Sequence, residues 1–247
     1  MTGYNKTNKA WTSLAVMLML GGCTSAPTPP TPEATAQQRC ERLRDKALEG
    51  ARITEATLVA ASNGSPEYCK VTGLLPTDLQ FEVRLPSDWN GRTVYAGGGG
   101  FDGSIPATDA YSARGYAAIA SNGGHTGTPL ESAFARDPEK LADFADRSIH
   151  RVLPFAKALI HERYGQNSEK TYFEGCSNGG REALIEAQRW PDDFDGIIAR
   201  APAYNFVELL LAFNRNFQQL SIWCLLTRLA RATAAPSKQT KPRSFSA

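Results

Sequence analysis

The chain of 247 residues is poor in histidine and has no CxxC or HxxxH spacing. Those spacings are typical of zinc sites, so we predict no metal site and no cofactor. No acidic residue follows Glu208, and the six basic residues beyond it leave 21 basic against 25 acidic residues in the rest. A basic end on a slightly acidic body does not resemble a nucleic-acid-binding domain, which spreads its cations over a folded face.

Long apolar runs are also missing. The apolar stretch at residues 14–20 is too short to span a bilayer, follows two lysines and ends in small residues before Cys23. This pattern predicts a signal peptide over residues 1–22, and Cys23 is placed like the lipidated cysteine of bacterial lipoproteins. An ordinary signal peptide with an incidental cysteine is the alternative. We expect an exported protein, either secreted or held in a bacterial cell envelope with the lipid anchor as its only membrane contact.

Residues 23–39 are rich in Pro, Thr and Ala and predict an extended tether. Export permits disulfides. Cys40 and Cys69 are a plausible pair early in the body, but with Cys176 and Cys224 three pairings remain open.

The body at residues 40–220 alternates strand and helix patterns. Short apolar or alternating runs predict strands, and 3.6-residue periodicity predicts helices. The helical pattern at 141–164 contains Pro154, which predicts a kink or two abutting helices. This order indicates an α/β fold with a mostly parallel sheet and helices on both faces. The predicted strands are 52–61, 79–85, 93–96, 116–120, 170–174 and 197–199, and the predicted helices are 141–164, 178–190 and 206–220.

One strand–helix junction carries the motif G-x-S-x-G, at residues 175–179. In this context the serine lies at the tip of a tight turn, and its small neighbours allow the strand, the turn and the helix to approach one another closely. The backbone amide of the next residue points to the same place as the serine hydroxyl. The helix N-terminus adds positive potential that favours an oxyanion. We therefore predict Ser177 as a nucleophile and the Asn178 amide as an oxyanion donor. A purely structural turn is the alternative.

A glycine-rich loop at residues 97–100 follows an earlier predicted strand. Acyl transfer uses two backbone donors, and the second comes from such a loop. We predict that Gly98 and Gly99 supply it. The alternative, a nucleotide-binding loop, lacks the G-x-G-x-x-G or GK[ST] pattern that would complete it.

The segment 172–184, YFEGCSNGGREAL, and its continuation QRWPDDFDGI at 188–197 resemble the tannase and feruloyl esterase family, which also includes hydrolases of mono-terephthalate esters. The upstream GGGFDG loop, the SNGGH stretch at 121–125 and the DFA segment at 143–145 are similar to it as well. The resemblance runs from about Cys40 to about Phe217. It implies an α/β-hydrolase core, a serine acyl-enzyme mechanism and esters of aromatic acids as substrates, with structural roles for Arg181 and Glu182.

The sequence departs from that family after the serine. The resemblance implies a downstream Asp and His, and a cysteine beside that His bonded to Cys176, but no histidine follows His161. The aspartates after Ser177 lie together at a predicted helix end. We do not expect His125, His150 or His161 to act as the base. The resemblance further implies that calcium belongs to a lid segment this sequence does not contain.

Residues 221–247 show no resemblance to the family and predict a disordered basic tail. A truncated or frameshifted product is the favoured explanation, and a naturally short protein is the alternative. Three functions follow: a weak or inactive serine carboxylesterase of this family acting on a small aromatic ester, a catalytically dead fragment of one, or a lipid-anchored envelope binding protein.

Overall fold

The computed structural model describes residues 34–62 and 64–233. The predicted signal peptide, Cys23, the tether up to residue 33 and the tail from residue 234 lie outside the described residues.

Seven strands form one sheet in the order β1-β2-β3-β5-β4-β6-β7. The neighbours β5 and β4, β4 and β6, and β6 and β7 pair in parallel. The neighbours β1 and β2, β2 and β3, and β3 and β5 pair antiparallel. Only β1 and β3 therefore run against the other five, which confirms the predicted mostly parallel sheet. The strands are β1 (Arg52–Val59), β2 (Tyr68–Leu75), β3 (Leu79–Pro86), β4 (Arg92–Ala96), β5 (Ala117–Ser121), β6 (Lys170–Cys176) and β7 (Gly196–Arg200).

Helices α4 and α5 are the main partners of the sheet. The first contacts β3 and β5, and the second contacts β6 and β7. The fully buried side chains of Val83, Ile119 and Phe173 from the sheet and of Val152 and Leu159 from α4 belong to one core. The helices are α1 (Ala36–Glu41), α2 (Asp109–Ser112), α3 (Pro138–Ala142), α4 (Ser148–Tyr164), α5 (Asn178–Arg189) and α6 (Phe206–Thr233).

Helix α1 begins inside the stretch predicted to be an extended tether. Thr35 and Gln38 form a capping box, in which each side chain accepts a hydrogen bond from the backbone of the other. Cys40 in this helix is fully buried and forms a disulfide with Cys69 of β2, with 5.5 Å between the Cα atoms. The prediction of a tether up to residue 39 is therefore wrong for its last residues, because the cap and the disulfide order them.

The long helical pattern is interrupted at a different place from the one predicted. Pro154 lies within α4, and the irregularity is a π-helical turn over Asp143–Arg147 between α3 and α4. The guanidinium of Arg181 donates to the carbonyl oxygens of Phe144 (2.9 Å) and Ala145 (2.7 Å), which lie in this turn. A side chain from another helix thus satisfies carbonyls of the wider turn.

Helix α6 continues through residues 221–233, so the prediction of disorder from residue 221 is wrong for this part. Its Leu, Ala and Arg residues are good helix formers, and it contains no Gly or Pro. Most of its apolar side chains are exposed, including Phe217 and Trp223. None of the described helices is both long enough and apolar enough to cross a membrane.

Candidate active site

Ser177 lies between the last residue of β6 and the first residue of α5. Its backbone has φ 60° and ψ −116°, and its side chain is exposed. A non-glycine residue in this region carries about 1–3 kcal/mol of strain, which neighbouring contacts must hold. The N–H of Ser177 donates to the carbonyl of Arg200 at 3.1 Å, and its own carbonyl accepts from Arg181 and Ala203. The turn is thereby attached to both α5 and the segment after β7.

The glycines around Ser177 are required by close packing. A Cβ at Gly175 would lie 2.2 Å from the carbonyl oxygen of Gly179, and a Cβ at Gly179 would lie 2.9 Å from the carbonyl oxygen of Gly98. Both neighbours are backbone atoms and have little freedom to move away. The G-x-S-x-G pattern therefore has a steric cause in this structure.

The glycine-rich loop packs on the first turn of α5. The N–H of Gly179 donates to the carbonyl of Gly98 at 3.0 Å, and the N–H of Gly98 donates to Glu182 Oε2 at 3.0 Å. The Gly98 amide is thus already bonded. The N–H of Gly99 makes no hydrogen bond to the described residues, and a Cβ there would meet nothing within 4 Å.

The Asn178 side chain is the centre of a buried polar network beneath this loop. Its Nδ2 donates to Asp102 Oδ1 at 2.8 Å and to Glu182 Oε1 at 3.1 Å, and its Oδ1 accepts from Arg181 Nε at 2.7 Å. The Asn178 backbone N–H is the first of α5 and has no acceptor within its own helix. It therefore remains free at the positive end of the helix dipole.

Two carboxyl groups of this region have raised pKa values. Burial, and then the nearby Glu182 carboxyl, raise the pKa of Asp102 well above its ordinary range. Burial, and then Asp193, raise the pKa of Glu186 to about 8. The Oε2 atom of Glu186 has no hydrogen-bond partner among the residues described. Both groups therefore favour the neutral acid more than an exposed carboxyl does.

The three histidines are engaged elsewhere. His125 is 2% exposed and stacks on Phe134, and burial lowers its pKa. The Nδ1 atom of His150 lies 2.7 Å from Asp193 Oδ2, and that of His161 lies 3.1 Å from Asn167 Oδ1. In the described part of the chain, no histidine is hydrogen-bonded to Ser177.

An aromatic cluster adjoins the glycine loop. Phe101, the residue after Gly100, contacts the rings of Phe206 and Phe144 at centroid distances of 5.8 and 6.2 Å. The Arg181 guanidinium lies 4.6 Å from the Phe144 ring centroid. The sequence analysis missed this cluster and also Asp102, although the GGGFDG loop was the available signal. A half-buried ring on the loop gives the site an apolar wall.

Cys176 and Cys224 are free and exposed in this structure. Cys176 stands directly before Ser177, and the cysteine that the family resemblance would pair with it is not in this chain. Among residues 34–62 and 64–233, no group of three or more His, Cys, Asp and Glu side chains is arranged to hold a metal ion.

A mostly parallel sheet whose tight strand–turn–helix junction presents a serine beside a glycine loop defines a partial α/β-hydrolase-like fold. Comparison with known proteins makes this assignment specific. The chain belongs to the tannase and feruloyl esterase family, whose model matches residues 64–223.

The similar proteins are esterases by name. An uncharacterized esterase of Agrobacterium fabrum is 39% identical over 183 residues, which cover 66% of this chain and 33% of that protein. A probable feruloyl esterase B-1 of Aspergillus terreus is 36% identical over 199 residues, which cover 70% of this chain and 37% of that protein. The crystal structure of feruloyl esterase B from Aspergillus oryzae matches with a TM-score of 0.64 at 30% identity. The match covers 71% of this chain and 39% of that protein. The chain thus spans about a third of the length of its curated relatives.

Proposed function

We propose that this chain is a carboxylic ester hydrolase of the tannase and feruloyl esterase type, acting on esters of aromatic acids with Ser177 as the nucleophile. The observation that carries the proposal is the exposed, strained Ser177 between β6 and α5, directly before the free backbone amide of Asn178 at the start of that helix. Family membership supports the reaction class. Serine acyl transfer needs no cofactor, and we propose none.

The proposed oxyanion donors are the amides of Asn178 and Gly99. Asn178 is the first residue of α5, where the helix dipole favours a developing negative charge. Gly98 then has a supporting role, since its N–H and carbonyl both hold the loop on α5. The half-buried ring of Phe101 supports an aromatic acyl group as the bound part of the substrate.

The proposed reaction has two steps. Ser177 Oγ attacks the ester carbonyl carbon, the alcohol leaves with a proton, and an acyl-enzyme forms. Water then attacks the acyl-enzyme carbonyl, which releases the acid and restores the hydroxyl. Both steps need a group that takes the proton from the attacking oxygen.

We further propose that turnover by this chain alone is weak or undetectable, since no described histidine is bonded to Ser177. An active site without its base retains roughly 10³–10⁴-fold catalysis over water, from the oxyanion donors and binding. A catalytically dead fragment, or a lipid-anchored envelope protein that binds without turnover, is the alternative. Export, with lipid attachment at Cys23 or secretion, stays a proposal that the N-terminal sequence pattern supports, and we propose no nucleic-acid partner.

The test is hydrolysis of methyl ferulate and 4-nitrophenyl esters by the chain and by Ser177→Ala. Intact-mass analysis with a fluorophosphonate probe serves as a second readout that needs no turnover. Ser132→Ala is the matched control, because Ser132 is exposed and its side chain makes no cap hydrogen bond. We expect Ser177→Ala, and not the control, to abolish labelling and any hydrolysis. Labelling or measurable hydrolysis that persists unchanged in Ser177→Ala would reject Ser177 as the nucleophile, and binding of ferulate without turnover would favour the alternative.

A further inference from the structure

Asp102 and Glu182 place two carboxyl groups together behind the glycine loop. Asp102 is 2% exposed and Glu182 is 5% exposed. Both side chains accept a hydrogen bond from the same atom, Asn178 Nδ2, at 2.8 and 3.1 Å, which places the two carboxyl groups beside each other. We propose that this pair shares one proton and acts as a positioning element that holds the oxyanion loop on α5. The proposal deepens the proposed function and rests on it for the loop's catalytic role.

The bonds of the pair reach both sides of the loop. Glu182 Oε2 accepts from the Gly98 N–H at 3.0 Å, and the N–H of Asp102 donates to the carbonyl of Gly99 at 2.8 Å. A Cβ at Gly98 would lie 2.5 Å from Asp102 Oδ1, and one at Gly123 would lie 2.3 Å from Oδ2. The Asp102 carboxyl therefore packs tightly against both Gly98 and Gly123, so we expect a change in its position to move the loop.

Arg181 is a cation whose charge acts on both carboxyls, and it forms no salt bridge with either of them. The nearest guanidinium, on Arg181, gives its hydrogen bonds to Asn178 Oδ1 and to two backbone carbonyls. Two ionised carboxyls buried beside the same amide repel each other, and a proton on one of them removes that repulsion. Asp102 is the member that holds the proton. Glu182 accepts hydrogen bonds from both the Gly98 N–H and Asn178 Nδ2, whereas the Asp102 carboxyl accepts, within the described part of the chain, from Asn178 Nδ2 alone.

The other titratable groups facing the pair come from three elements. Tyr95 of β4 donates its hydroxyl to Ser121 Oγ at 2.8 Å. Arg181 and Glu186 come from α5, and Asp146 comes from the π-helical turn. Burial raises the pKa of Tyr95 well above its ordinary value, and Arg181 keeps its charge, so neither supplies the missing proton. Loss of the shared proton at high pH then places two negative charges beneath the loop and pushes it from α5.

Infrared difference spectroscopy tests the shared proton without any need for activity. The carbonyl stretch of a protonated carboxylic acid is compared between the full chain at neutral pH and the variant Asp102→Asn. We expect this band to be weaker in Asp102→Asn by the contribution of the pair, while the contribution of Glu186 remains. Asp109→Asn is the control, because Asp109 is 63% exposed and paired with Arg84. This variant should leave the protonated-acid band of the parent chain unchanged. An unchanged spectrum in Asp102→Asn would show that the pair holds no proton and would overturn the proposal.

Amide hydrogen exchange over residues 97–103, corrected for intrinsic rates, tests the positioning role. Asp102→Asn keeps an acceptor for Asn178 and a donor for Glu182, so we expect the loop to stay protected at all pH values. Asp102→Ala removes both, and we expect exchange about tenfold faster or more, the effect of leaving buried polar groups unbonded. In the parent chain, protection should fall as pH rises, and in Asp102→Asn it should not.

A control isolates backbone strain, because alanine is unfavourable at the φ of 55° found at residue 102. Asp78 has φ 66°, and Asp78→Ala introduces the same strain away from the loop. Equal loop exchange in Asp102→Ala and Asp102→Asn would overturn the positioning role. If Asp102→Ala does not fold, the spectrum and the pH profile of Asp102→Asn still decide the matter. Labelling that persists in Ser177→Ala would count only against the proposed function.

Discussion

Arg181 holds the side chain of Asn178 in place, since its Nε donates to Asn178 Oδ1 at 2.7 Å within the first turn of α5. The same guanidinium bonds carbonyls of the π-helical turn. One side chain therefore connects the residue after Ser177 to the π-helical turn that precedes α4. The position of the Asn178 amide is thus tied to tertiary packing.

Substitution Asn178→Ala is expected to destabilise the protein by about 2–4 kcal/mol. It removes the hydrogen-bond partner of three buried atoms, Asp102 Oδ1, Glu182 Oε1 and Arg181 Nε, and each such atom costs about 1–3 kcal/mol before relaxation. Urea unfolding measures the loss. Asn216→Ala, at an exposed position of α6, is the control and should change stability by less than about 0.5 kcal/mol. Similar midpoints for the two variants would contradict the network.

Substitution Gly175→Ala is expected to cost about 3 kcal/mol or more, because the new Cβ would lie 2.2 Å from a backbone oxygen. Thermal unfolding measures the effect. Gly99→Ala is the matched control for stability, since a Cβ there would meet nothing within 4 Å. We expect that control to unfold within a few degrees of the parent chain. A Gly175→Ala protein as stable as Gly99→Ala would show that the turn is looser than described.

The pH dependence of stability should carry a contribution from Glu186. Its folded pKa of about 8 lies above the unfolded value, so the folded state holds the extra proton between about pH 4 and pH 8. Stability from this group is therefore full at acid pH and falls as pH rises to about 8, by less than about 1.4 kcal/mol per pH unit. Glu186→Gln should flatten the profile of unfolding free energy over this range. Glu49→Gln, at an exposed position, should leave the profile unchanged, and an identical slope in Glu186→Gln would disprove the contribution.

The disulfide between Cys40 and Cys69 should contribute about 3–4 kcal/mol, from the loop-closure entropy of a 29-residue separation. Cys40→Ser should lower the unfolding midpoint, and a reductant should lower that of the parent chain by a similar amount. The exposed Cys224 gives the control variant Cys224→Ser, which should behave as the parent chain does under both conditions. A reductant that leaves the parent midpoint unchanged would contradict this contribution.

Local patterns in the sequence predicted the elements around Ser177 because the turn needs particular small residues at fixed spacing. Strand β2 was missed, since Lys70, Thr72 and Gly73 interrupt its apolar pattern. The structure explains Gly73, whose missing side chain is replaced by the ring of Phe81, 2.3 Å from where a Cβ would lie. The pairing of Asp102 with Glu182 was also missed, because no local pattern relates residues that far apart.

The strained turn at Ser177 is short in sequence, but the contacts that hold it are distant. The bonds from Gly98 to Glu182 and from Asn178 to Asp102 join positions 84 and 76 residues apart. Closing loops of that length is slow and costs entropy before the contacts form. We therefore expect the backbone geometry at Ser177 to form only once β4 and β6 are paired, so that a probe at Ser177 would report on completion of the sheet.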